Sequence, residues 1–127
     1  MQILRTEPPS PAGEPMFTGQ AWFTYHSGSG PVACAKIHFA PGARTAWHSH
    51  SNGQILYVLE GVARIQERGG AYQDLRAGDA AVCPAGIEHW HGAAPGHFMT
   101  HLAIHDGQVT WAEPVAETDY HGQVSPG

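Results

Sequence analysis

The sequence predicts an all-β domain, a sandwich or a closed barrel. Short apolar runs recur at about 8–12-residue spacing. Sixteen Gly and ten Pro, about a fifth of the chain, stand as punctuation between them. No stretch carries a convincing helical period. Taken in order, the expected strands are Ala21–Tyr25, Val32–Phe39, Ala46–His50, Ile55–Glu60, Val62–Glu67, Tyr72–Leu75, Ala80–Cys83, His89–His91, His97–Ile104 and Val109–Trp111. Turn signals separate them at Ser27–Pro31, Pro41–Gly42, Asn52–Gly53, Gly61, Gly69–Gly70, Ala77–Asp79, Pro84–Gly86 and Ala93–Gly96. Arg68–Gly70 reads as the tip of a hairpin. Residues 1–16 are Pro-rich and aperiodic, an extended arm suited to docking on a partner subunit. Residues 17–113 form the barrel, and residues 114–127 a tail of similar character to the arm.

Composition narrows the class further. The 127 residues, 42% hydrophobic, fit one domain and bury enough surface to need no disulfides. Only 13% of the chain is charged, about half the usual share, as expected of a large core or a buried oligomer surface. The net charge of −5 and the lack of any basic run argue against nucleic acid as a partner. No run is long and apolar enough to span a membrane, and the opening residues lack the apolar region of a secretory signal. The expected location is the cytoplasm. Cys34 and Cys83 make no disulfide framework and have no basic neighbour in sequence, so both read as small buried residues.

The ten histidines are the outlying feature. His48 and His50 lie two apart in a strand-like stretch, so both face one side. The same holds for His89 and His91, and for His101 and His105 across Ala103. Two imidazoles so placed start about 7 Å apart at the backbone, within reach of one ion. Nitrogen and oxygen ligands of this kind suit manganese, iron, nickel and zinc. A lone pair of this kind is weak evidence, but two pairs fenced by glycines are much stronger. His26, His38, His97 and His121 lack partners at informative spacing and read as surface or satisfied core residues. Trp47 and Trp90 alternate with histidines and should turn away into packing.

The spacing matches a known pattern. Gly42, five residues, His48-Ser49-His50, three residues, Gln54, six residues and Gly61 resemble the first cupin motif. Gly78, five residues, Pro84-Ala85-Gly86, two residues and His89 resemble the second. Two positions depart from the common form: Gln54 where most cupins carry Glu, and Ala93 where Asn is frequent. The stretches Pro41–Trp47, His89–Ala94 and Met99–Ile104 resemble the small single-domain bacterial cupins of the manganese-dependent hydroxynitrile lyase type. The resemblance implies a double-stranded β-helix, or jelly-roll, barrel. It implies one divalent transition metal per chain on His48, His50, Gln54 and His89, with manganese first and iron, nickel or zinc as alternatives. It also implies a reaction that cleaves or forms cyanohydrins such as mandelonitrile.

Further expectations follow for the site. The neutral Gln54 removes one negative charge, so an ion held there keeps its +2 charge and favours Lewis-acid over redox chemistry. On the Val32–Phe39 strand, Ala33, Ala35, Ile37 and Phe39 should face inward, because the other register would bury Lys36 and His38. Ala35, Ile37 and Phe39 are the candidate substrate-pocket residues. His91, His101 and His105 are the catalytic candidates, with His101 as base and His91 or His105 delivering a proton to cyanide. A role for His101 in orienting a metal ligand competes with this. Arg44 is expected to pair with a carboxylate. A metal-dependent dioxygenase or oxidase and a non-catalytic small-molecule-binding cupin are the rival functions. A homodimer or homotetramer is the expected assembly.

Overall fold

A computed structural model describes residues 1–27 and 32–122. In chain order the strands are β1 (Arg5–Thr6), β2 (Ser10–Ala12), β3 (Phe17–Thr18), β4 (Ala21–Ser27), β5 (Val32–Phe39), β6 (Arg44–Thr45), β7 (His48–His50), β8 (Gln54–Glu67), β9 (Gln73–Arg76), β10 (Ala80–Cys83), β11 (His89–Ala93), β12 (Met99–Asp106) and β13 (Val109–Trp111). One short helix, α1 (Glu117–His121), follows. All pairings are antiparallel, and the sheet curls into two walls. One wall runs β4-β5-β12 into the first half of β8, with β10 on its far side. The other is built on β11, which pairs with β6, β7 and the second half of β8, flanked by β9. The expected all-β class is therefore observed.

β8 is the hinge of this arrangement. Two strands were expected, broken at Gly61; one continuous strand is found, turning the corner between walls at that residue. Gly61 has φ +78, and a Cβ there would lie 1.9 Å from the Phe98 carbonyl oxygen. Only glycine satisfies both the left-handed backbone and the close approach. Before the corner, alternation is strict: Gln54, Leu56 and Val58 are buried, while Ile55, Tyr57 and Leu59 are exposed. Leu56 and Val58 join Phe17, Ile37, Phe39, Met99 and Ala103 in the core between the walls.

Two terminal segments are more ordered than their sequences suggested. The arm lies along its own chain, with β1 and β2 both pairing with β4. The tail, read as extended like the arm, forms α1 and buries Val115 and Tyr120 against Trp47 and Trp90 on the outside of the second wall. Five helical residues are too few to show a period, but Gly122 ends the turn with φ 69, a stop signal present in the sequence. The turn expected at Ser27–Pro31 and the last five residues of the tail lie largely outside the described residues. No helix among the described residues is long and apolar enough to cross a membrane.

Candidate metal centre and its cavity

Strand register brings the candidate ligands together. His48 on β7 is directly opposite His89 on β11. His50 is on the same face of β7, two residues on. Gln54 opens β8 opposite both Cys83 and His105, which places its side chain at the same end of the barrel interior. The three imidazoles are buried, and their candidate ligand atoms all lie within 4.8 Å of one another.

Hydrogen bonds prepare the nitrogens. The Nδ1–H of His48 donates to the Ala46 carbonyl at 2.8 Å, which leaves Nε2 with its lone pair. The Nδ1–H of His89 donates to the Ile87 carbonyl at 3.2 Å. Its Nε2 then stands 3.3 Å from Gln54 Oε1, two acceptor atoms facing each other. Neither ring nitrogen of His50 has a partner. Facing lone pairs and partnerless buried nitrogens are costly unless a cation sits among them. Burial, reinforced by the neighbouring His89, pushes His48 down to about 3. Burial, with His105 and His89 adding to it, pushes His50 down to about 4. His89 is lowered by burial as well. All three are therefore neutral at neutral pH, and with Gln54 they form a donor set suited to a divalent transition metal.

Behind them sit two more histidines. His101 Nε2 is 2.8 Å from His91 Nδ1, so one hydrogen is held between the rings. His91 Nε2 is buried without a partner. Burial lowers His101 to about 4. It holds His91 well below the usual histidine range, aided by the surrounding imidazoles. Both rings are thus neutral, His101 through burial and His91 through burial and the imidazoles around it. Phe39 packs its ring against both, at 6.1 and 5.2 Å between centroids.

A cavity of about 290 Å³ opens over this cluster. His48, His50, Gln54, His91 and His105 line it, while His101 does not. His105 lies beside His50, with ring centroids 4.6 Å apart. Of the expected pocket residues, Ala35 and Ile37 are on the cavity wall with Ala33, and Phe39 is in the layer beneath. Much of the remaining wall is aromatic. Phe23 and Tyr25, two apart on β4, stack at 5.1 Å, and Trp111 leans on His48 at 4.7 Å. Sequence reading missed these three. Phe23 and Tyr25 carried a usable signal, an aromatic pair at strand period. Trp111 did not, because its place beside His48 depends on β13 pairing with β7.

The other singled-out residues are elsewhere. His38 meets the Thr100 hydroxyl at 3.0 Å. His121 pairs with Glu117, and His97 is exposed in a turn. Arg44 donates to the Val115 carbonyl and to Glu117, both at 2.9 Å, fastening the tail. Trp47 and Trp90 turn to the outer cluster as expected. Cys83 is buried, and burial raises its thiol to about 11, so it is inert as a nucleophile.

Known proteins share this architecture. The family model described as Cupin domain matches residues 35–110. The (R)-mandelonitrile lyase of Granulicella tundricola is 48% identical over 93 residues, covering 70% of this chain and 71% of that protein. A cupin-like protein of Thermotoga maritima superimposes with a TM-score of 0.86 at 35% identity, over 95% of this chain and 97% of that one. A polyketide cyclase from Streptomyces resistomycificus superimposes with a TM-score of 0.71 over 95% and 91% of the two chains. At 19% identity it supports the fold alone.

Proposed function

The chain belongs to the cupin family, and from that membership we propose that it is a metal-dependent lyase acting on cyanohydrins, with one divalent transition metal, manganese first, on His48, His50, Gln54 and His89. The observation that carries this reading is a charge-neutral ligand cluster in an aromatic-lined cavity, beside a buried histidine pair able to hold a proton. The 48% identity to a protein named as a mandelonitrile lyase supports the reaction class.

When bound, the metal supplies Lewis-acid polarisation of a hydroxyl or carbonyl oxygen. The chain supplies the rest. Phe23, Tyr25, Ile37 and Trp111 enclose an apolar substituent and exclude water. With the shared hydrogen on His91 Nδ1, His91 Nε2 accepts the substrate hydroxyl proton. His101 supports the resulting imidazolium through its 2.8 Å contact and acts only through His91. As the carbon–carbon bond breaks, its electron pair leaves with cyanide. The proton on His91 passes to that cyanide, so an aldehyde and hydrogen cyanide are released and the pair returns to neutral. His105, on the same wall, donates a hydrogen bond to the departing group.

The test is elemental analysis of the purified protein, then mandelonitrile turnover without oxygen after loading manganese, iron, nickel or zinc. About one metal per chain and benzaldehyde release with manganese are expected. Oxygen-dependent consumption of another substrate with iron would replace the lyase with a dioxygenase. Failure to hold any metal would leave a small-molecule-binding cupin.

A further inference from the structure

The described lining of the cavity over the candidate metal centre carries no countercharge. Among the described residues, none that lines it is Asp, Glu, Lys or Arg. Its polar members are imidazoles, Gln54, Thr45, Tyr25, Cys34 and the indole of Trp111. The carboxylates that act on these rings lie off the wall. Glu67, which influences His89, is exposed, and Asp106 acts on His105 from the neighbouring position. A +2 ion placed on three neutral imidazoles and a carboxamide therefore keeps its whole charge in an apolar enclosure. A charge so buried is stable only when paired.

Room for the partner is present. Ala33 is opposite His105 and Ala35 opposite Ala103 in the β5–β12 ladder, so small side chains line that side of the cavity. A donor is present too: His105 Nδ1 is buried and partnerless. Resting on the metal assignment above, we infer that the loaded site binds a small monoanion, such as formate, azide or cyanide, as the countercharge that Gln54 withholds. Gln54 is then the residue that sets the charge of what the site accepts. A neutral ligand of the same shape gains only the ion's pull on its dipole and balances none of its charge.

Formate and formamide are nearly the same size and differ by one charge, which makes them the probes. The protein is loaded with cobalt(II), its metal content is measured, and both compounds are titrated against the visible spectrum. At least a tenfold preference for formate is expected. Gln54→Glu should hold the metal and lose most of that preference, and metal-free protein should bind neither. Equal binding of the two probes to loaded protein, or an unchanged preference in Gln54→Glu, overturns the inference and leaves the metal assignment intact. A protein that takes up no metal overturns both. The metal measurement on the same sample separates these cases.

Discussion

His48 on β7 and His89 on β11 face each other across one rung of the ladder, with ring centroids 4.4 Å apart. Each ring is anchored at Nδ1 by a backbone carbonyl two residues before it, Ala46 for one and Ile87 for the other. The two halves of the centre are thus set by matching local geometry on two strands joined by pairing.

His48→Ala removes one of three imidazoles and a ring that touches four other aromatic side chains. Metal content is expected to fall from about one per chain to near zero, with turnover lost. Elemental analysis and an anaerobic lyase assay check this, with circular dichroism confirming the fold. Retained stoichiometric metal would remove His48 from the ligand set.

His101→Ala should keep the metal and lose turnover by roughly 10²–10⁴-fold, the usual worth of a positioned acid–base group. The same loss is expected for His91→Ala. The double variant should be little worse than either, because the two rings hold one proton as a unit. Additive losses in kcat would show that they act separately.

Gly61→Ala places a methyl group against the Phe98 carbonyl at a left-handed backbone position. A loss of about 3 kcal/mol or more is expected, at the upper end for point substitutions. Urea unfolding measures it. A loss under about 1 kcal/mol would mean that the corner of β8 relaxes freely.

Tyr120→Phe deletes the 2.6 Å hydrogen bond from the tail to the Ala93 carbonyl and leaves that buried oxygen unpaired. The expected cost is about 1–3 kcal/mol, read as a lower urea midpoint with an unchanged slope.

Acid should destabilise the metal-free protein. His48, His50 and His101 have folded-state values of about 3, 4 and 4, below the 6.5 of a free histidine, chiefly because burial disfavours the charged ring. Below pH 6.5 the unfolded chain binds protons that the folded chain refuses. Stability is therefore full above that pH and falls as pH drops toward 4. Urea midpoints at pH 7.5, 6 and 5 should decrease in that order, and a flat profile would contradict buried neutral rings.

Much of this was legible in the sequence, and its limits are physical. The His-x-His pairs, the glycine turns and the inward register of Ala35 and Ile37 follow from strand period and side-chain cost, both local rules. The Gly61 corner was read as a break because a turn and a bend in a continuous strand share one residue signature. The tail helix was missed because its stability comes from Arg44, Trp47 and Trp90, distant in sequence, rather than from its own five residues. The exclusion of His101 from the cavity wall depends on how β11 and β12 stand relative to each other, which no spacing within either strand reveals.

Different strands of the barrel divide the labour. The metal candidates sit on β7, β8 and β11, whereas Phe23, Tyr25, Ala33, Ala35 and Ile37 sit on β4 and β5. Reactivity and taste are thus written on separate pieces of backbone. A library confined to those five positions would reshape the cavity and leave the candidate ligands in place, so one scaffold of this size can present the same imidazoles to many differently shaped molecules.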